Sequence, residues 1–167
     1  VAIIEKEQVG GVSAHTGTLP SKTLKDAIYH LHGFKLRSFT NVSVSLKKSF
    51  TMSDLMARKD HVIKNELAII TNQLERNDVE IVHGTASFRD THTIRVTTQH
   101  GHESILSGDF IVIATGSRPR HEPAIPFNSK NICDSDSILA TDTMPKTMAV
   151  LGGGVIGCEY ATMFSAF

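Results

Sequence analysis

Residues 148–160 read Met148-Ala149-Val150-Leu151-Gly152-Gly153-Gly154-Val155-Ile156-Gly157-Cys158-Glu159-Tyr160, and the order in which residue types change there decides the fold class. An apolar run of strand character, 148–151, leads straight into Gly152-x-Gly154-x-x-Gly157, and Val155, Ile156, Tyr160, Ala161 and Phe164 continue as an apolar helical pattern. Glycines at those three positions allow a tight turn and a close approach of backbone N–H groups to a pyrophosphate at the positive end of the helix. A purely structural glycine turn is the alternative, and the flanking strand and helix favour the dinucleotide reading. The residue that would contact the ribose is expected about 20 positions further on, beyond Phe167, so NAD and NADP are not separated here.

Working back from that turn, Phe110-Ile111-Val112-Ile113-Ala114 has the strongest strand character in the chain, and a fully apolar strand is expected to be central and buried. It ends in Thr115-Gly116-Ser117-Arg118-Pro119. Short β-type runs precede it at 79–82, 93–98 and 104–106. Leu55, Met56, Val62, Ile63, Leu67, Ile70 and Leu74 predict a helix of about 25 residues starting at Ser53. Residues 38–51 are rich in Ser, Thr, Val and Lys without a decisive period. Leu24, Ala27, Ile28 and Leu31, behind Pro20, predict an amphipathic helix over 19–33 with Thr18 at the N-cap. The Val9-Gly10-Gly11-Val12-Ser13 stretch reads as a loop, and Val1-Ala2-Ile3-Ile4-Glu5 as a strand. With a strand already under way at Val1 and an apolar helical pattern still running at Phe167, the chain is expected to be an internal piece of a longer protein.

Composition narrows the function classes. The 167 residues are 40% apolar and carry 17 basic and 17 acidic side chains, a net charge of zero that gives no electrostatic basis for a nucleic-acid or anionic-membrane partner. No run approaches the roughly 18 to 20 apolar residues of a membrane span, and no signal peptide is visible. A cytoplasmic location is therefore the default expectation. Cys133 and Cys158 are too few for a disulfide framework and read as small, chemically silent core residues. His30/His32 and His100/His102 lack a third ligand at zinc-site spacing, so no metal site is expected.

The segment Gly10-Gly11-Val12-Ser13-Ala14-His15-Thr16-Gly17-Thr18-Leu19-Pro20-Ser21-Lys22 carries a resemblance. Together with Glu5, a Gly84-Thr85-Ala86 turn, residues 114–119 and residues 152–159, it resembles the FAD-dependent pyridine nucleotide disulfide oxidoreductases over nearly the whole chain. The resemblance implies an α/β fold: a partial FAD/NAD(P)-binding, Rossmann-like three-layer domain over 1–145, lacking its first strand and Gly-rich turn. Residues 146–167 would be the first strand-helix unit of an NAD(P)-binding domain. In the family a redox Cys-x4-Cys pair precedes Pro-Ser-Lys; here those positions are Ser13 and Thr18. Reduction of a disulfide substrate by the usual route is thereby excluded. His15 and Thr18, with Asp134-Ser135-Asp136-Ser137-Ile138-Leu139 and Gly157-Cys158-Glu159-Tyr160-Ala161, are most similar to the Si-specific transhydrogenase branch. That branch keeps a cysteine where this chain has Ser13, which marks a variant or a degenerating member.

Residue by residue, the resemblance implies that Glu5 holds the FAD adenosine ribose and that Gly10, Gly11 and Ser13 lie along the cofactor. Ala86 would meet the adenine through its main chain, and Thr115 and Gly116 would pass the pyrophosphate and ribityl. Gly152, Gly154 and Gly157 would take the second nucleotide. Lys22 would act at the flavin, paired with Glu159, as the catalytic cation; a surface lysine and a helix-start carboxylate are the bland alternatives for the two. The implied parent function is hydride transfer between NADPH and NAD+ through FAD by a homodimer, with the present piece inactive by itself. A diaphorase-type or dihydrolipoamide-dehydrogenase-like NAD(P)H dehydrogenase and a non-catalytic dinucleotide-binding module stay open beside it.

Overall fold

Parallel pairing of two strands far apart in sequence frames the first of two compact units in the computed structural model, which describes residues 1–36 and 51–166. This unit comprises residues 1–12 and 65–118, and the other comprises 13–64 and 119–167. Strand β1 (Ala2–Glu5) runs parallel to β2 (Glu80–His83), with Ala2 opposite Glu80 and Glu5 opposite His83. Parallel strands need a long crossover, and helix α3 (Met52–Arg76) lies within that connection. Its end is sharply made. Val79 N–H donates to Leu74 O at 3.0 Å and Asp78 N–H to Glu75 O at 3.1 Å, with Asp78 at φ 51°. Those two bonds and that left-handed residue form a Schellman stop, a place usually taken by glycine.

Past β2 the chain turns into an antiparallel sheet of β3 (Thr85–Phe88), β4 (Thr93–Thr97) and β5 (Glu103–Ser107). Val96, the inward residue of β4, is fully buried. Gly84 is required where β2 passes into β3: a Cβ there would lie 2.6 Å from Val96 Cγ1 and 2.8 Å from the Thr97 carbonyl oxygen. Its N–H donates to Glu5 O at 2.9 Å, tying the ends of β1 and β2 together. The expected 84–86 turn is thus the start of a strand, while the runs expected at 79–82, 93–98 and 104–106 are β2, β4 and β5.

Residues 110–114 depart from expectation. They form no strand, and Phe110, Val112 and Ile113 are 94%, 85% and 71% exposed. The physical reason is the lack of a ladder: a strand exists by pairing, and no described strand lies beside this run. Residues 148–151 are likewise unpaired and exposed, so the expected strand before the glycine turn is absent among the described residues.

The second unit is helical. Helix α1 (Gly11–His15) forms where the glycine-rich stretch was expected to be a loop; its burial of Ala14 offsets the poor helix propensity of glycine. Helix α2 (Thr18–Leu36) starts one residue earlier than expected. Ser21 N–H donates to Gly17 O at 3.1 Å, which makes Gly17 rather than Thr18 the capping position. The long helix α3 begins with a reciprocal cap. Thr51 N–H and Oγ1 donate to Asp54 Oδ2 at 2.9 and 2.7 Å, and Asp54 N–H donates back to Thr51 Oγ1 at 3.3 Å. Helix α4 (Val155–Ala166) follows the glycine turn.

Leu24, Ala27 and Ile28 of α2, Met52 and Leu55 of α3, Leu139 of a 3-10 turn, and Tyr160 and Met163 of α4 form the core of this unit. Lys59 joins them by donating to Leu139 O at 2.8 Å. Neither cysteine is in that core: Cys158 is exposed on α4, and Cys133 is partly exposed in a loop. The expectation of two core cysteines fails because α4 buries Tyr160 and Met163, a face that leaves position 158 outward. Residues 38–50 lie outside the described residues.

Candidate functional site

Gly152 has φ +111°, which opens the turn between residue 151 and α4. A Cβ on Gly153 or Gly154 would meet nothing within 4 Å, whereas one on Gly157 would lie 2.5 Å from Gly152 O and 3.2 Å from Val150 Cγ1. The first two positions leave the backbone open to an approaching group, and the third lets the helix close against its own turn. Cys158 N–H already bonds Gly154 O at 3.0 Å, while the first N–H groups of a helix have no partner within it. An exposed turn of this form suits an anion.

Two residues beyond Gly157, Glu159 is bonded to helix α2. Its Oε1 accepts from Lys25 Nζ at 3.3 Å, and Lys25 also stands 5.9 Å above the centroid of the Tyr29 ring. Val155, Cys158 and Thr162 complete the lining of an open cleft of about 310 Å³ at this contact. The expected partner of Glu159 was Lys22. Lys22 instead is exposed and makes no ion pair among the described residues. Helical phase explains the difference. Lys25 is the neighbour of Ser21 and Ile28, both buried, so it lies on the flank of α2 that faces α4.

The remaining expected residues lie mostly in the first unit. Glu5 ends β1 half-buried, and its Oε1 accepts the Glu7 N–H at 2.8 Å. Gly10 and Gly11 have φ 95° and 53°, backbone that side chains disfavour. Ala86 sits on β3 opposite Val96 and is exposed. Thr115 and Gly116 are exposed, Gly116 with φ 69°. Ser13 is exposed on α1, in the second unit. Within that unit the structure therefore joins Glu159 to α2, at a different lysine.

A polar knot in residues 121–137 went unnoticed in the sequence. His121 Nε2 and Asp134 Oδ2 are 2.6 Å apart, and the His121 ring stacks on Phe127 with centroids 4.2 Å apart. Asp134 Oδ1 accepts from Ser137 N–H at 2.7 Å and Ser137 Oγ at 2.6 Å. Burial works against the charge of Asp134, but the Ser137, His121 and Asp136 bonds outweigh it and hold the carboxyl well below its usual range. Burial instead pushes Asp136 up, against a Thr16 hydrogen bond, and it pushes the Tyr160 phenol up as well. Tyr160 Oη donates to Ser135 O at 3.2 Å, anchoring the knot to α4. Asp134-x-x-Ser137 is the signal that could have revealed it, since that spacing allows reciprocal side-chain to backbone bonds.

Among the described residues no group of three His, Cys, Asp or Glu side chains is placed to hold a metal, and no helix is long and apolar enough to cross a membrane.

Comparison with known proteins places these features in context. Residues 1–167 match the family model described as pyridine nucleotide-disulphide oxidoreductase. The chain is 44% identical over 168 residues to the soluble pyridine nucleotide transhydrogenase of Mycobacterium bovis (strain BCG / Pasteur 1173P2), covering 99% of this chain and 36% of the relative. It is 40% identical over 166 residues to the protein of that name from Vibrio vulnificus (strain YJ016), covering 98% and 35%. Among solved structures, LpdA from Mycobacterium tuberculosis matches with TM-score 0.88 at 24% identity over 99% of this chain and 36% of that one, a likeness of fold. The Cu(II) complex of the HOCl-induced flavoprotein disulfide reductase RclA from Escherichia coli matches with TM-score 0.80 at 27% identity, over 100% and 34%. The chain thus spans little more than a third of the length of the curated relatives it matches.

Proposed function

Because the chain belongs to the pyridine nucleotide-disulphide oxidoreductase family, a family of FAD-dependent enzymes acting with NAD(P)H, we propose that it is part of a flavoprotein that transfers hydride between NADPH and NAD+. The observation that carries this reading is the replacement of a dithiol. Ser13 and Thr18 stand at the redox positions before Pro20-Ser21-Lys22, and the only cysteines, Cys133 and Cys158, lie elsewhere. Without thiols there, electrons have no disulfide route out, which leaves exchange between two nucleotides and reduction of a quinone or dye as the chemistries open to the flavin. The name shared by relatives at 40–44% identity supports the same reading.

The chain's residues fit the two nucleotide groups. Glu5 ends a strand with a carboxylate that still has acceptor capacity beyond its bond to Glu7, as a ribose diol requires. Gly10 and Gly11, in left-handed backbone, permit close main-chain approach. The open Cβ directions of Gly153 and Gly154 leave room for a pyrophosphate at the 152–157 turn. Ser13, Ala86, Thr115 and Gly116 are proposed to line the FAD, and Gly152, Gly154 and Gly157 the NAD(P). When bound, FAD supplies the hydride acceptor and donor. Lys22, exposed and free of an ion pair among the described residues, is proposed to supply the positive charge that favours hydride arrival. Glu159 orients a lysine of α2. The full-length protein is proposed to be a homodimer.

The test is the visible spectrum of the full-length protein before and after anaerobic NADPH, and then after NAD+. A flavin band near about 450 nm that bleaches and returns is expected. A colourless protein that takes up no FAD overturns the reading. Bleaching that NAD+ fails to reverse, with dyes still reduced, assigns the protein to NAD(P)H dehydrogenase chemistry.

A further inference from the structure

Asp134 and Asp136 share one turn but face different partners. Asp134 turns in on its own loop. Its Oδ1 accepts from the N–H groups of Asp136 and Ser137 at 3.2 and 2.7 Å and from Ser137 Oγ at 2.6 Å, and its Oδ2 stands 2.6 Å from His121 Nε2. The turn shaped in this way is fastened to the second unit at two points. Tyr160 Oη of α4 donates to Ser135 O at 3.2 Å, and Lys59 Nζ of α3 donates to Leu139 O at 2.8 Å, with the Leu139 side chain in the core. Asp136 is the carboxylate that looks outward from this frame. It is half-buried, takes the Ser135 hydroxyl at 3.5 Å, and accepts a hydrogen bond from Thr16. Burial raises the Asp136 carboxyl and the Thr16 bond works against that rise; a carboxylate drawn away from water needs such a donor.

Thr16 sits in a short joint. Only it and Gly17 separate α1, which ends at His15, from α2, which starts at Thr18. The backbone of the joint is bonded forward into α2: Gly17 O accepts the Ser21 N–H at 3.1 Å, and Thr18 O accepts Ser21 Oγ at 3.3 Å. The Asp136 bond holds the same joint from a distant part of the chain. We propose that Asp136 is a positioning residue for the α1–α2 joint: through Thr16 it ties the segment bearing Ser13, Thr18 and Lys22 to the 134–140 turn and fixes how that segment meets the flavin, a role that rests on the reading of residues 13–22 as the flavin side of the site. Small displacements of reacting groups cost rate far more than they cost binding. The tie has one donor and one acceptor, so removing either end has the same effect as removing both.

Two measurements on the full-length protein test it, using T16V, T16S, D136N, D136A and T16V/D136A. Thr16→Val keeps the shape and loses the donor, whereas Thr16→Ser and Asp136→Asn keep a donor and an acceptor. In the first, amide hydrogen exchange is followed by mass spectrometry. T16V and D136A are expected to lower protection across 13–19 by about threefold or more with residues 94–96 unchanged, and T16S and D136N to match wild type. Unchanged protection at 13–19 in T16V, or an equal loss at 94–96, overturns the tie, and T16V alone decides if D136A does not fold.

In the second, bound flavin is reduced anaerobically by NADPH in a stopped-flow instrument. T16V is expected to lower the limiting rate by about fivefold or more with the half-saturating NADPH concentration within about twofold of wild type, and T16S to restore the rate. T16V/D136A is expected to be no slower than the slower single variant. A limiting rate in T16V equal to wild type, no recovery in T16S, or additive losses in the double variant overturns the positioning role. Should wild type take up no FAD, the functional reading fails and the flavin role of Asp136 with it; exchange at 13–19 then still decides whether Asp136 holds the joint.

Discussion

Two stretches of the first unit, separated by only a few residues, behave oppositely. Strands β3 to β5 mix Thr and Ser with apolar residues, yet they form a registered antiparallel sheet in which Thr85 faces Thr97 and Thr93 faces Ser107. Residues 110–114 are wholly apolar, yet they pair with nothing described, and all but Ile111 stand exposed. Strand character is thus a property of a pair. The hairpin between β4 and β5 is local and needs only Gly101, at φ 79°, to turn. A buried central strand needs neighbours on both edges, and apolar side chains alone do not supply them.

Hydrogen exchange in the 167-residue chain is the largest way to break that contrast. Amides at 94–96 are expected to exchange at least about a thousandfold more slowly than those at 111–113, as read by mass spectrometry; equal protection would show 110–114 to be paired. Next in size, Gly84→Ala places a methyl group against Val96 and the Thr97 carbonyl, and a loss of about 3 kcal/mol in denaturant unfolding of the full-length protein is expected. An unchanged midpoint would mean that the junction feeding β3 is slack.

Smaller effects sharpen the comparison at the helix that feeds β2. Asp78→Gly relieves left-handed strain at the Schellman stop and is expected to raise stability by about 1 kcal/mol. Thr51→Ala removes the reciprocal cap at the other end of α3 and is expected to cost about 1 kcal/mol. Both are read from thermal unfolding. Last, the carboxyl of Asp134 is depressed in the folded state, so its stabilisation is complete above the ordinary Asp range near about 3.9 and fades as pH falls below it. Acidification from about pH 5 towards pH 2 is expected to cost wild type about 1 kcal/mol more than Asp134→Asn. Identical acid profiles would detach the 121–137 knot from stability.

Much of this was readable in advance, and the exceptions have a common cause. Helices α2 and α3 follow from apolar residues at helical spacing, and in the 152–157 turn the conformation of Gly152 and the close contacts of Gly157 account for those two glycines, while Gly154 has neither. Thr51-x-x-Asp54 is a readable start signal. The choice of Lys25 over Lys22 is different: Lys25 neighbours the buried Ser21 and Ile28 while Lys22 is exposed, but which partner meets that flank of α2 is set by its packing on α4. Helix α1 is similar: a glycine-rich opening argues against a helix, and burial of Ala14 overrides it. Periodicity describes an element's own faces, whereas pairing and rotational phase belong to two elements at once.

The second unit is discontinuous, taking its residues from 13–64 and 119–167, and this sets an order of events during synthesis. Lys25 and Glu159 are 134 positions apart. The hairpin of β4 and β5 closes over a few residues and can form early, whereas Leu24, Ala27 and Ile28 must wait for Tyr160 and Met163 to be made. On a ribosome α2 therefore lacks the Leu139, Tyr160 and Met163 part of its cover through the translation of the entire sheet, with only Met52 and Leu55 of α3 made before it. That interval, rather than the finished structure, is where this chain is most exposed to misassociation and to capture by chaperones.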